Sequence, residues 1–290
     1  MKDKNDSDAD SLQEDWADPE KIKDVLQVIP FEDGNIQLTI SDEFSKIQVN
    51  SLVQFPEGLS FNDSQKLMWE RFLDLLITQD SSLEAVDPST IIDSLKDWLD
   101  SGDDDAITGL NGAESDYYKD LDPPYVCTNG LFAHIDELKL VKGITPALFT
   151  GTMETPGIRS YTTVSGMDRN DVSIQFAGRI NINTAELPVL AVILPLGSEG
   201  LAQAIYEFRQ EKSEAVYVHD LSSVDWYKSV PGMGDVKIDP HLITTVSDLF
   251  RIESIALLHD MKLTLTAVVH REKSKKTGKW VCRVLLWQAE

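Results

Sequence analysis

The stretch LHDMKLTLTAVVHREKSKKTGKWVCRVLLW (258–287) decides the fold class. Met261, Leu263, Leu265, Ala267 and Val269 recur at every second position, the period of a strand with one apolar face. KKTGK (275–279) supplies a turn, and WVCRVLLW (280–287) runs back as the hairpin partner. Immediately upstream, LITTVSDLFRIESIALL (242–258) predicts one more strand. At the other end of the chain, GNIQLTISDE (34–43) alternates Ile36, Leu38 and Ile40 with Gln37 and Thr39, and KIQVNSLV (46–53) reads as its extension. Ahead of it, SLQEDWADPEKIKDVLQVI reads as an amphipathic helix over 11–28, with Ser11 and Glu14 spaced as a capping box.

Between these strands the period changes. After Pro56, SQKLMWERFLDLLI (64–77) sets Leu67, Phe72, Leu75 and Leu76 near helical spacing, and Ser89 is placed to cap a second helix, TIIDSLKDWLD. Helical patterns continue at 135–141, 184–194 and 200–212. The prediction is an α+β fold: a discontinuous α+β domain from 11–56 and 236–290, carrying an inserted α-helical domain at 57–235. A length of 290 residues suits two domains.

Forty-nine Asp and Glu against 26 Lys and Arg give a net charge of −23, which repels nucleic acid and anionic lipid. The longest apolar run, LPVLAVILPL (187–196), is too short to span a bilayer, and no signal peptide opens the chain. Cys127 and Cys282 are expected as two unpaired thiols. The five histidines are scattered without metal-binding spacing, and no nucleophile elbow, P-loop or GxGxxG occurs.

Two stretches have the look of helix-hairpin-helix units: 182–209, with the turn PLGSEG, and SVPGMGD (229–235). Such turns bind DNA when their backbone N–H groups meet a phosphate and lysines stand nearby. Here Glu199 stands where the phosphate would sit and Asp235 follows the second turn, so a SAM-like packing unit is favoured and no nucleic-acid partner is expected. A helix-hairpin-helix DNA-binding protein of the competence type is the alternative function.

The other segment of chemical interest is DWLDSGDDDAITGLNGAESDYY (97–118). Residues 97–122 hold nine acids (Asp97, Asp100, Asp103, Asp104, Asp105, Glu114, Asp116, Asp120, Asp122) and one base, Lys119. Three readings compete: a solvated acidic loop, a cation site, and a paired-carboxylate hydrolase centre. Calcium would suit such a loop, since it takes about 6–8 oxygens in irregular geometry. The spacing is not that of an EF-hand, because Ile107 and Thr108 fall where a ligand and the glycine belong. A hydrolase would need an apolar pocket to raise one carboxyl's pKa.

Taken in order, DWLDSGDDD, NGAESDYY, PPYVCTN, IDELKLVKGI and INTAELPVLAVILP closely resemble the minor pseudopilin K family of the type II secretion system (general secretion pathway protein K, GspK). DGNIQLTISDEFSKIQVNSL matches that family's first strand, and the resemblance spans about residues 30–250. It implies a pilin-like domain, an N-terminal helix plus an antiparallel sheet, interrupted by a large all-α insertion. It also implies a non-enzymatic subunit at the tip of a periplasmic pseudopilus, partnered by the I and J minor pseudopilins and in reach of secreted substrates. The family's apolar N-terminal helix, which would anchor the full-length protein to the inner membrane, is not found in this sequence.

The resemblance further implies calcium, through a pattern Asp-Trp-x-Asp-x-Asp…Gly-Ala-Glu. Gly102 replaces one carboxylate of that pattern, so Asp103 or Asp104 has to substitute. The expected ligands are Asp100, Asp103, Asp104 and Glu114, with Asp97 and Asp116 as alternates or outer partners. Trp16, Ile22, Val25 and Leu26 of the first helix are the expected partner-facing stripe.

Overall fold

The computed structural model describes residues 9–28, 34–55, 58–101, 106–169, 174–274 and 276–289. From the N-terminus, residues 11–17 form turns in place of the expected helical start. Glu14 accepts from the Ser11 amide at 3.2 Å, and the Ser11 hydroxyl accepts from the Gln13 amide at 3.2 Å. Helix α1 covers only Pro19–Gln27, capped by Asp18. The reason is Pro19, which tolerates the first helical turn but would clash with a preceding carbonyl inside a longer helix.

Strand β1 follows at Asn35–Asp42. The segment 46–53 does not extend it but turns through a two-residue strand at Ile47–Gln48 and a 3₁₀ helix at Val49–Leu52. Buried Asn50 explains the turn. Its Nδ2 donates to Phe132 O (3.1 Å) and its Oδ1 accepts from Phe132 N (2.8 Å), so a side chain makes the pair of bonds a strand neighbour would make.

Helix α2 (Asp63–Gln79) buries Met68, Trp69, Phe72, Leu73 and Leu76. The stripe is rotated from the expected one, and Leu67 is exposed. Helix α3 (Pro88–Leu99) is capped by Asp87 and not by Ser89, because Pro88 takes the first helical position and leaves Asp87 to accept from the Ser89 and Thr90 amides. Helix α4 spans Ser115–Lys119, and the 135–141 pattern forms a 3₁₀ helix at Ile135–Leu140. After further short pieces come α5 (Leu187–Ile193) and α6 (Ala202–Phe208). These elements share one continuous apolar core.

Three long strands close the chain: β2 (Leu249–Leu258), β3 (Met261–Lys273) and β4 (Trp280–Ala289). The sheet order is β1-β2-β3-β4, antiparallel throughout, so the first strand of the chain pairs with a strand some two hundred residues later. One row of the register reads Ile40, Ile252, Ala267, Trp287. Trp16 closes one end of that apolar face, edge-on to Phe250 with ring centroids 5.1 Å apart. Trp16 is therefore core, and the partner-facing stripe expected over 11–28 loses its first member.

A buried polar seam ties these parts together. The Asp42 carboxylate accepts from the hydroxyls of Ser247 and Thr184 (both 2.6 Å), from Asn181 Nδ2 (2.9 Å) and from the Phe44 amide (2.7 Å). Asp10 accepts from the Ser247 amide and pairs with Arg271. Among the described residues, no helix is long and apolar enough to cross a membrane.

Candidate metal centre

Helix α3 builds the floor of the site. Its apolar side, Ile91, Ile92, Leu95, Trp98 and Leu99, goes into the core. Trp98 stands edge-on to Tyr118 at 5.3 Å and stacks on Phe132 at 5.9 Å. Fixing Trp98 fixes its neighbours in sequence. Asp93, Asp97 and Asp100 are spaced four and three apart, so they share the other face of the last two turns.

The chain then folds back over that face. The Thr108 amide donates to both Asp97 oxygens, at 2.9 and 3.2 Å. Lys96 Nζ bridges Asp100 Oδ2 (3.1 Å) and Thr108 Oγ1 (3.0 Å). Gly112 lets the loop come this close: a Cβ there would lie 2.1 Å from Asp97 Oδ2. Lys142 clamps the far side, donating to Asn111 O (3.0 Å) and Gly112 O (3.2 Å). Glu114 stands at the N-terminal boundary of α4, whose Tyr118 is fully buried and accepts from the Lys142 amide through its hydroxyl.

The result is a cluster of three buried carboxylates. Asp97, Asp100 and Glu114 each offer one oxygen, and these oxygens lie within 4.8 Å of one another. Burial pushes the Asp97 carboxyl above its usual range, the Thr108 bonds oppose this, and the Asp100 charge adds to it. Asp93 is raised by burial and then by the Asp97 charge. Like charges this close and this dry repel strongly, and a cation among them offsets the cost. An all-oxygen donor set in an irregular loop, with space kept open by a glycine, fits a hard divalent cation.

Each expected ligand has its place in this picture. Asp100 and Glu114 are in the cluster, and so is Asp97, expected as an alternate or outer partner. Gly102, Asp103 and Asp104 lie outside the described residues. Asp116 points outward, 3.3 Å from Lys119 Nζ, and is not in the cluster. Lys96, Thr108, Gly112 and Lys142 complete the arrangement and were not singled out from the sequence for it. The two clefts of about 200 Å³, one beside Glu43 and Lys46 and one beside Arg71 and Asp239, lie elsewhere.

At the glycine turns, the Gly197 amide is taken by Glu199 Oε1 at 3.0 Å, and Met233 of the second turn is fully buried. Arg209 spends its guanidinium inside the fold, on Ile182 O (2.9 Å) and Ala185 O (2.7 Å). At the first turn the backbone amide is thus taken by the chain's own carboxylate.

The family model "Type II secretion system (T2SS), protein K" matches residues 45–153, a span that includes the whole cluster. Type II secretion system protein K of Aeromonas hydrophila is 26% identical over 280 residues, covering 94% of this chain and 76% of that protein. The protein of the same name from Pseudomonas aeruginosa is 27% identical over 270 residues, with coverages of 92% and 68%. In fold, the chain is similar to a chain in the crystal structure of the GspK-GspI-GspJ complex from enterotoxigenic Escherichia coli. The TM-score is 0.63 at 17% identity, covering 98% of this chain and 88% of that one. The residue order, the matched segment and both relatives agree in making this chain similar to type II secretion system protein K.

Proposed function

We propose that this chain is a non-enzymatic structural subunit at the tip of the type II secretion pseudopilus, where it assembles with the I and J minor pseudopilins to support protein export. One observation carries the reading: the terminal sheet with its intervening helical block matches, over nearly its whole length, a chain solved within a GspK-GspI-GspJ complex. In this reading, 11–56 and 236–290 are the pilin-like domain and 57–235 is a SAM-like insertion. The full-length protein is periplasmic and held at the inner membrane by an N-terminal helix.

The cluster of Asp97, Asp100 and Glu114 is a calcium site, to which Asp103 or Asp104 contributes. The ion supplies charge neutralisation and order. The residues of the chain bring the carboxylates together, hold the loop down through Lys142, and keep the cluster out of water.

On α1, Ile22 and Leu26 are half-buried and Val25 is 54% exposed. Assembly uses this stripe with the adjacent sheet. The test is reconstitution with the I- and J-class proteins, using the parent chain and a Val25→Asp/Leu26→Asp variant. A stable three-protein complex with the parent and loss of it with the variant is expected. No complex with the parent sinks the assignment, and an intact complex with the variant sinks the role of α1.

A further inference from the structure

Strand β4 differs from every other long element of the fold. It closes the sheet at one side, and among the described residues no strand pairs with its outer edge. It runs for ten residues, a span of about 34 Å. Nearly all of it is exposed on both faces, including Trp280 at 44%, Val284 at 54%, Leu285 at 50% and Trp287 at 64%. A long, apolar, proline-free edge is what natural sheets normally cover or blunt, because it invites another strand. Here the only interruption is the bulge opposite Val268 and Val269.

Charge singles out the same place. Residues 260–290 carry seven Lys and Arg against three Asp and Glu, a net +4, while the rest of the chain carries 19 against 46, a net −27. The basic groups lie along the strand pair. Lys273 sits 5.9 Å from the Trp280 ring centre, Lys276 and Lys279 lie in the turn, and Arg283 is exposed mid-strand, while Arg271, 5.1 Å from the same ring, is paired with Asp10.

We infer that β4 is a docking strand that takes an acidic, extended segment of a partner protein as a fifth strand of the sheet. Main-chain hydrogen bonds along the edge would supply the affinity, and alternating apolar side chains would sit beside Trp280, Val284 and Trp287. A second copy docking two-fold, β4 against β4, would set +4 against +4 and is disfavoured. A membrane is disfavoured too. The apolar positions run the length of the strand, whereas the turn at Lys276–Lys279 is polar. This edge is the far side of the sheet from β1, the strand beside α1, so the inference does not rest on the assembly contact proposed for α1.

The probe is an alternating Glu-Val decapeptide added to the intact chain, read by hydrogen exchange and by tryptophan fluorescence. We expect β4 amides to be protected about tenfold or more, and affinity to weaken at least about fivefold between 50 and 500 mM salt. A Lys-Val decapeptide, and the Glu-Val peptide N-methylated at alternate amides, should not bind. Arg283→Glu/Val284→Glu, at exposed positions where the fold is retained, should lose binding with an unchanged melting temperature. Protection confined to residues outside β4, or equal binding of the Lys-Val peptide, overturns the inference. Sedimentation of the chain alone as a dimer that the double variant dissociates would assign β4 to a second copy. Flotation with phosphatidylglycerol vesicles that the same variant abolishes would assign it to a membrane. Either result overturns it.

Discussion

Replacing Gly112 by alanine places one methyl group where the candidate centre has no room. The added Cβ would lie 2.1 Å from Asp97 Oδ2, 2.7 Å from Thr108 O and 2.9 Å from Thr108 N. Ordinary contact starts near 3.4 Å, so the Asp97 carboxylate or the loop must retreat by about 1.3 Å. The bonds from the Thr108 amide, 2.9 and 3.2 Å long, do not survive that movement. Hydrogen bonds to a charged group contribute about 1.5–3 kcal/mol, and a buried carboxylate left without its donor adds a desolvation cost. The expected loss is roughly 2–4 kcal/mol, a fall in melting temperature on the order of 5–15 °C. Thermal melts followed by circular dichroism in EDTA and in calcium measure it, with Gly130→Ala as control. A Cβ at Gly130 meets only Thr128 O at 3.8 Å, so that variant should stay within about 0.5 kcal/mol of the parent. A Gly112→Ala protein as stable as the control, and still responsive to calcium, would refute the reading of Gly112 as the residue that makes room for Asp97.

Three further outcomes follow from other parts of the fold. Trp16→Ala should cost about 3–5 kcal/mol in urea unfolding, because the ring is core against Phe250; a loss under about 1 kcal/mol would return Trp16 to the surface. Burial pushes the Asp42 carboxyl up to about 6, above its unfolded value. Protonation therefore favours the folded state, and this contribution is lost as pH rises from about 4 through 6. The stability of the parent relative to Asp42→Asn should fall by up to about 3 kcal/mol between pH 4 and 7, and a pH-independent difference would contradict the assignment. Finally, the chain should not retard duplex DNA at low salt, since Glu199 already occupies the Gly197 amide; a salt-sensitive shift would restore the competence-type reading.

The hairpin was legible because Met261–Val269 keeps a two-residue period, and the turn residues at 275–279 are followed by a second run rich in valine and tryptophan. Strand β1 was legible for the same reason. The errors have local causes. Val-Asn-Ser-Leu at 49–52 looks like a strand until Asn50 is found bonding Phe132 through its side chain, a partner 82 residues away that no local pattern reveals. The start of α1 was misplaced because a real Ser11–Glu14 contact was read as a cap, although Pro19 carried the stronger instruction.

At the centre, Asp97, Asp100 and Glu114 could be picked out as acids crowded beside a helix end. The residues that organise them could not, since Gly112 and Lys142 matter only once the loop has closed over α3. Lys96 left a faint signal, four residues before Asp100 on the same helix face.

The most direct test of the account is whether the chain responds to calcium through this cluster. Melting temperature is measured in EDTA, in calcium and in magnesium, for the parent and for Glu114→Ala. Calcium at a hundredfold excess over its dissociation constant should stabilise the parent by about 2–3 kcal/mol. Magnesium should do much less, because it demands near-octahedral geometry and sheds water reluctantly. Glu114→Ala should remove most of the calcium response. Identical melting temperatures for the parent in all three conditions would contradict the account and leave Asp97, Asp100 and Glu114 as a buried acidic cluster without an ion.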